Sequence, residues 1–227
     1  MKIFGLQKLS LLDYPSKLCA TVFTSGCNMR CPYCHNGDLV LGLCPEISQE
    51  SLLSFLKSRR GKLEAICISG GEPLLHPQLE SFVDSLKDMG YLVKLDTNGS
   101  YPERLEKLLP KLDYVAMDVK NSLERYAQTV GLDAFDSSCI PASIMLIQSQ
   151  AKDYAFRTTL MKPLHSDADI HAIGRLIQGA KRYDLQNYAV GGKQLRDMHF
   201  EPFRPEELQH FQAIARQYVD ECIIKNE

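Results

Sequence analysis

Short apolar segments alternate with amphipathic segments along most of the chain. The apolar segments are rich in Val, Ile or Tyr and are mostly apolar on both faces, which is typical of strands that are covered on both sides. Six such segments occur, at residues 18–24, 65–69, 91–96, 114–118, 155–160 and 186–190. We therefore expect six strands in the interior of a sheet.

The amphipathic segments between these strands predict helices. Apolar residues repeat at helical spacing over residues 79–89, and Gly90 is placed to end that helix. Similar spacing around Leu52 predicts another helix. Ser166 is a candidate N-cap, and Pro205 suits the first turn of the last helix.

This alternation predicts parallel strands that are joined by right-handed crossovers. Six units are too few to close a barrel, so we expect an α/β fold with a partial (β/α)6 TIM-like barrel, open on one side. A doubly wound sheet is the alternative, and in both folds functional groups gather at the carboxyl ends of the strands. We interpret residues 1–227 as a single domain with a cysteine-rich loop at 25–36 and a short helical tail at about 204–227.

Composition and charge exclude several classes of protein. The 227 residues carry 26 basic and 28 acidic side chains, so a strongly basic nucleic-acid-binding surface is not expected. We find no apolar stretch that could span a membrane and no secretion signal, so we expect a cytoplasmic protein. Eight cysteines in a reducing compartment indicate metal binding or catalysis rather than disulfides.

Three cysteines are clustered directly after the first predicted strand. Cys27, Cys31 and Cys34 follow the pattern Cys-x3-Cys-x2-Cys, and thiolates at this spacing suit zinc or an iron–sulfur cluster. Structural zinc sites and most clusters need a fourth protein ligand, so an iron cluster held here would keep one iron open to a substrate or cofactor. The alternative is a zinc site completed by His35 or Cys44.

Polar or glycine-rich motifs follow the later strands. Gly70 and Gly71 allow the backbone to approach a ligand closely, and Glu72 can accept a hydrogen bond from an ammonium group, although the same residues could form an ordinary turn. Side chains that offer oxygen donors suited to a hard cation follow the next two strands, namely Asp96, Thr97 and Asp118, with Asn98 and Lys120 beside them. Arg157 could direct a bidentate donor toward a carboxylate or ribose.

The cysteine spacing, with aromatic Tyr33 before the last cysteine, resembles the signature of the radical S-adenosylmethionine (SAM) superfamily. The resemblance implies a [4Fe–4S] cluster on the three cysteines, with SAM chelating the open iron and yielding a 5′-deoxyadenosyl radical after reduction. It assigns the motif of Gly70, Gly71 and Glu72 to the SAM amino group. The resemblance implies that the later motifs help to hold SAM and share a monovalent cation with its carboxylate.

Within that superfamily, residues 5–15, 23–28, 31–36 and 117–120 resemble activating proteins of anaerobic ribonucleoside-triphosphate reductase. Residues 191–194 depart from the pattern expected there. The resemblance implies abstraction of a glycine hydrogen from a partner glycyl radical enzyme. Because we find no second cluster motif, we expect a flavodoxin- or ferredoxin-like electron donor. The alternatives are activation of pyruvate formate-lyase and a small-molecule enzyme similar to 7-carboxy-7-deazaguanine synthase.

Overall fold

The computed structural model describes residues 1–191, 194–196 and 198–225, and these form one eight-stranded sheet whose strand order follows the chain. The first two strands are antiparallel, and every later neighbour is parallel. The strands are β1 (Ile3–Ser10), β2 (Cys19–Thr24), β3 (Ala65–Gly70), β4 (Leu92–Thr97), β5 (Tyr114–Asp118), β6 (Tyr154–Leu160), β7 (Arg182–Asn187) and β8 (Glu221–Lys225). Because β1 and β8 are the two edges of the sheet, the barrel is open, as predicted.

Helices connect the parallel strands. They are α1 (Gly37–Leu41), α2 (Gln49–Ser58), α3 (Leu79–Asp88), α4 (Pro102–Leu108), α5 (Tyr126–Thr129), α6 (Cys139–Gln150), α7 (Asp167–Leu176) and α8 (Pro205–Ala215). The predicted helix ends are confirmed: Gly90 adopts a left-handed φ of +85° after α3, and the Asp169 carboxylate accepts the Ser166 backbone N–H at 3.0 Å before α7. Within the described residues, no helix combines the length and hydropathy needed to cross a bilayer.

The core lies between the sheet and these helices. Helix α3 turns Leu79, Phe82, Val83 and Leu86 inward, all of them buried. Burial of each such side chain contributes roughly 1.5–3 kcal/mol. This packing holds α3 against β4, and the carboxyl ends of the neighbouring parallel strands β3 and β4 lie at the same edge of the sheet.

The sequence-based prediction was wrong at the two edges of the sheet and in its last strands. Strands β1 and β8 were not predicted, because edge strands carry polar side chains and lack the continuous apolar pattern of interior strands. The sixth predicted strand, at 186–190, is β7 at Arg182–Asn187. It begins with an Arg182–Asp184 ion pair of 2.8 Å that hides its strand character. The tail contains the predicted helix from Pro205 but ends in strand β8 rather than in helix.

Candidate active site

A cavity of about 270 Å³ opens at the carboxyl ends of strands β2 to β7. Every site residue predicted from the sequence except Glu72 lines it. The predicted residues that line it are Cys27, Cys31, Tyr33, Cys34, Gly70, Gly71, Asp96, Thr97, Asn98, Asp118, Lys120 and Arg157. The topology thus brings together motifs that are far apart in the chain.

The cluster loop, residues 25–36, joins β2 to α1 and is held in shape by its own hydrogen bonds. The Met29 backbone N–H donates to Cys27 Sγ at 3.4 Å. The Arg30 guanidinium donates to the carbonyl oxygens of Cys27 and Met29 at 2.6 and 2.8 Å. The Arg30 N–H also donates to the Val130 carbonyl at 2.8 Å, which ties the loop to the end of α5. The protein therefore positions the loop before any ligand binds.

The thiols of this loop are partly or fully buried. Burial raises the pKa of Cys31 to about 12, partly offset by Lys120, and burial also raises the pKa values of Cys27 and Cys34. The thiols must therefore lose protons when they bind iron, a cost that the metal offsets. The Tyr33 hydroxyl, near the Cys31 thiol, is buried without a well-formed hydrogen-bond partner, and an additional group in the cavity would satisfy it.

The zinc alternative fits the geometry less well. Within the described part of the chain, no three His, Cys, Asp or Glu side chains are placed to hold a single metal ion. Cys44 does not line the cavity. His35 lines it, but its ring packs beside Tyr188 at 5.4 Å between centroids. All eight cysteines are free thiols.

The two glycines after β3 are sterically required. Gly70 has a φ of +118°, and a Cβ there would lie 2.4 Å from backbone atoms of Thr24. A Cβ on Gly71 would lie 1.7 Å from the carbonyl oxygen of Gly26. This close approach lets the Gly71 N–H donate to the Thr24 carbonyl at 3.0 Å and the Glu72 N–H donate to the Gly26 carbonyl at 2.8 Å. The glycine motif is thereby joined to the first residues of the cluster loop.

Glu72 lies behind the cavity wall and is fully buried. Its carboxylate accepts hydrogen bonds from the Leu74 N–H at 3.0 Å, the Thr97 hydroxyl at 2.9 Å and the Asn98 N–H at 2.7 Å. Burial raises its pKa to about 7, against the effect of these donors. Its contact with the SAM amino group stays a prediction; the contacts that it makes here position the turn after β4.

Asn98 connects that turn to the cluster loop. Its side-chain amide donates to Asn28 Oδ1 at 2.9 Å and points toward Cys27 Sγ at 3.8 Å. The side-chain oxygen accepts from the backbone and hydroxyl of Ser100 at 3.0 and 2.6 Å, which fixes the amide orientation. A hydrogen-bond donor near a metal-binding thiolate changes the electron density on the sulfur.

A largely buried charge network lies at the ends of β4, β5 and β6, beside the cavity. Asp96 at the end of β4 contacts Lys94 at 2.7 Å and Arg157 at 3.2 Å. Asp118 at the end of β5 contacts Arg157 at 2.8 Å and Lys120 at 2.8 Å. Although burial opposes ionisation, Arg157 and the lysines hold the pKa values of both carboxyl groups below their ordinary range. Both acids are therefore ionised, and two negative charges face three positive ones.

Arg157 was predicted to meet a carboxylate or ribose, and here it bridges the two carboxylates of its own chain. Lys94 was missed by the sequence analysis. It lies two residues before Asp96 on β4, and alternate residues of a strand share a face, so its side chain is on the same face as that of Asp96. Every oxygen of Asp96 and Asp118 lies within 3.2 Å of a protein cation, although Asp96 Oδ1 accepts no hydrogen bond of good geometry. A monovalent cation at this site stays a prediction.

A neutral wall of the cavity lies at the ends of β6 and β7. The Thr159 hydroxyl donates to Gln186 Oε1 at 3.4 Å. The ring of Tyr188 packs against His35 of the cluster loop, and its hydroxyl accepts from the Gln194 amide. Gln186 and Tyr188 were not predicted as site residues, because the sixth strand was placed too far along the chain. Of residues 191–194, whose sequence departs from the expected pattern, Gly192 and Lys193 lie outside the described residues.

Comparison with known proteins agrees with this geometry. The family model of the radical SAM superfamily matches residues 21–137. A protein of Methanocaldococcus jannaschii that bears the provisional name glycyl-radical enzyme activating enzyme is 32% identical over 98% of this chain and 95% of its own length. The chain therefore belongs to the radical SAM superfamily and, within it, to the family of glycyl-radical enzyme activating enzymes.

Two further similarities support the assignment and the fold. The pyruvate formate-lyase-activating enzyme of Clostridium pasteurianum is 31% identical over 53% of this chain and 52% of its own length. A solved structure of TYW1 with a lysine-pyruvate adduct bound superposes over 92% of this chain and 76% of that chain, with a TM-score of 0.62 at 16% identity. The superfamily implies a [4Fe–4S] cluster and SAM. Three soft thiols, the unpartnered Tyr33 hydroxyl and the glycine motif around one cavity fit these cofactors.

Proposed function

We propose that this protein activates a glycyl radical enzyme, and that its partner is an anaerobic ribonucleoside-triphosphate reductase. The observation that carries the proposal is the cavity itself, whose lining combines the three cysteines, a charged network and a neutral, hydrogen-bonding wall. The similarity to a glycyl-radical enzyme activating enzyme along nearly the whole chain supports the reaction. The resemblance of residues 5–15 to activators of the reductase supports the choice of partner.

The cofactors supply the radical chemistry, and the chain supplies position. When bound, a [4Fe–4S] cluster and SAM would together supply the radical chemistry needed to remove a hydrogen atom from the partner's glycine. Cys27, Cys31 and Cys34 would hold the cluster from a loop that is already ordered. The backbone around Gly71 would approach SAM closely, because no side chain covers it there. The net positive charge network would face the SAM carboxylate.

The neutral wall suits a peptide group. Gln186 offers a side-chain amide, which can pair with the amide of a peptide backbone, and Thr159 orients it by donating to its oxygen. The aromatic face of Tyr188 covers apolar surface without adding charge. A glycine-containing loop presents backbone amides and little else, so this wall matches it better than it matches an anionic metabolite. We therefore assign Gln186 and Tyr188 to the partner's loop.

An electron must reach the cluster from another protein. The cysteines outside the cluster loop do not form a second motif: Cys19, Cys67 and Cys222 are buried in the core, and Cys44 and Cys139 are far apart in sequence. Buried thiols of this kind act as small apolar side chains. We propose a flavodoxin- or ferredoxin-like protein as the donor.

The test combines the anaerobically reconstituted enzyme, a reductant and SAM with three candidate substrates in parallel. These are an anaerobic ribonucleotide reductase, pyruvate formate-lyase and a pterin substrate of 7-carboxy-7-deazaguanine synthase. We expect a glycyl radical signal in electron paramagnetic resonance with the reductase, and none when its radical-bearing glycine is replaced by Ala. A signal with pyruvate formate-lyase alone would change the partner. Turnover of the pterin without any glycyl radical would refute the proposal.

A further inference from the structure

Each carboxylate oxygen at the ends of β4 and β5 lies near a cationic side chain of the protein, although Asp96 Oδ1 accepts no hydrogen bond of good geometry. Asp96 Oδ1 lies 2.7 Å from Lys94 Nζ, and Asp96 Oδ2 lies 3.2 Å from Arg157 Nη1. Asp118 Oδ1 lies 2.8 Å from Arg157 Nε, and Asp118 Oδ2 lies 2.8 Å from Lys120 Nζ. All four carboxylate oxygens are therefore in contact with a nitrogen that carries positive charge.

Lys94 is the unusual member of this network. Its side chain is only 6% exposed. It lies on the same face of β4 as Asp96, toward the barrel interior, because residues two apart on a strand share a face. Its ammonium contacts Asp96 and approaches the Cys67 thiol at 3.7 Å. Although burial opposes its charge, Asp96 raises the pKa of Lys94 above its ordinary value. Lys94 is thus a permanent cation at the position where a bound metal cation would neutralise Asp96.

Charge counting leads to the same conclusion. Two carboxylates face Lys94, Lys120 and Arg157, which leaves a net charge of +1. An added sodium or potassium ion at Asp96 Oδ1 would have to displace the Lys94 ammonium, which lies 2.7 Å from that oxygen, and would be repelled by three neighbouring cations. The carboxylate of SAM, by contrast, would meet a wall that is already positive.

We propose that the Lys94 ammonium is a built-in replacement for a monovalent metal cation at Asp96, so that this enzyme binds SAM without sodium or potassium. Lys94 is a positioning residue: it acts on SAM through Asp96 and Arg157 and does not itself line the cavity. The inference rests on the SAM site of the superfamily and does not depend on which glycyl radical enzyme is the partner.

The wild-type protein provides the first test. SAM affinity of the cluster-loaded enzyme is measured by equilibrium dialysis in potassium chloride, sodium chloride and choline chloride at equal ionic strength. We expect dissociation constants that agree within about twofold, below the tenfold that corresponds to about 1.4 kcal/mol. A tenfold or greater loss in choline would overturn the proposal, whatever the outcome of the glycyl radical assay.

The second test uses Lys94→Met, with Lys152→Met as a matched control, because Lys152 is an exposed lysine that also pairs with an aspartate. In choline chloride, Lys94→Met is expected to raise the dissociation constant of SAM at least tenfold. In potassium or sodium chloride, we expect at least half of that increase, on a logarithmic scale, to disappear. The control should bind equally in all three salts. Weak binding of Lys94→Met that no salt improves would contradict a cation role for Lys94.

A third readout needs neither cluster nor SAM. The melting temperature of the metal-free wild-type protein should be the same in potassium, sodium and choline chloride. The melting temperature of metal-free Lys94→Met should be lower than wild type in choline and should rise by several degrees in potassium or sodium, because the unpaired Asp96 then binds the added cation. If the melting temperatures of both proteins depended equally on the metal cation, the proposal would be overturned.

Discussion

The replacement of Gly71 by Ala tests how the glycine motif holds the cluster loop. A Cβ at this position would lie 1.7 Å from the Gly26 carbonyl oxygen and 2.5 Å from its carbonyl carbon. Real Cβ atoms do not approach other atoms more closely than about 3.0 Å, so the two segments must separate by about 1.3 Å. The obstacle is backbone on both sides, and neither segment can yield by changing a rotamer.

The expected loss of stability follows from the backbone hydrogen bonds that this separation would break. The Gly71 N–H donates to the Thr24 carbonyl at 3.0 Å, and the Glu72 N–H donates to the Gly26 carbonyl at 2.8 Å. Each backbone group left buried without a partner costs roughly 1–3 kcal/mol, so we expect a loss of about 2–6 kcal/mol in the free energy of unfolding. A displacement of about 1 Å near Cys27 would also lower activity by roughly 100-fold.

The assay is urea unfolding of the metal-free protein, followed by iron and sulfide content after anaerobic reconstitution. Gly90→Ala is the control, because a Cβ on Gly90 meets nothing within 4 Å and the change adds only the strain of a left-handed alanine, about 1–2 kcal/mol. We expect Gly90→Ala to retain full iron and Gly71→Ala to retain little. Full iron content and unchanged SAM affinity in Gly71→Ala would refute the steric reasoning.

Three other predictions use the same proteins. The pKa of Glu72 is about 7 in the folded state against an ordinary value of 4.5, so the folded state holds this proton more tightly and the protein loses stability as pH rises between those values. In urea unfolding at pH 5 and pH 8, Glu72→Gln should therefore reduce the difference between the two free energies of unfolding by about 3 kcal/mol, and an unchanged difference would contradict this prediction. Cys31→Ala should lose the cluster by iron analysis while Cys44→Ala keeps it, and the reverse would refute the ligand assignment. Gln186→Leu should leave partner-free 5′-deoxyadenosine formation within twofold of wild type but lower the glycyl radical yield at least tenfold, and equal loss of both would place Gln186 on SAM instead.

The sequence predicted the parts of the molecule that depend on local pattern. The interior strands are continuous apolar runs because both of their faces are covered, so they could be located from composition alone. The cluster loop could be located because ligand spacing is a covalent property of the chain. The ends of parallel strands meet at one edge of a sheet, so the motifs after β3, β4 and β5 were expected together, and they line one cavity.

Other features depended on contacts between distant residues and could not be predicted in this way. The sequence indicates Glu72 as a ligand-binding carboxylate, and it could not show that this carboxylate accepts hydrogen bonds from Leu74, Thr97 and Asn98 in the folded chain. Lys94 reads as an exposed lysine interrupting a strand, because its burial requires Asp96 and Arg157 to converge inside the barrel. The edge strands could not be recognised in the sequence for a related reason: a strand with only one neighbour does not require two apolar faces.

Transfer of a hydrogen atom from the partner's glycine is the most direct test of the proposed function. The partner reductase is prepared with deuterated glycine and incubated anaerobically with the reconstituted enzyme, a reductant and SAM, and the 5′-deoxyadenosine is analysed by mass spectrometry. We predict that 5′-deoxyadenosine gains one deuterium in step with the glycyl radical signal and that Cys31→Ala forms neither. Unlabelled 5′-deoxyadenosine from the wild-type enzyme, with no glycyl radical on the partner, would contradict the proposal.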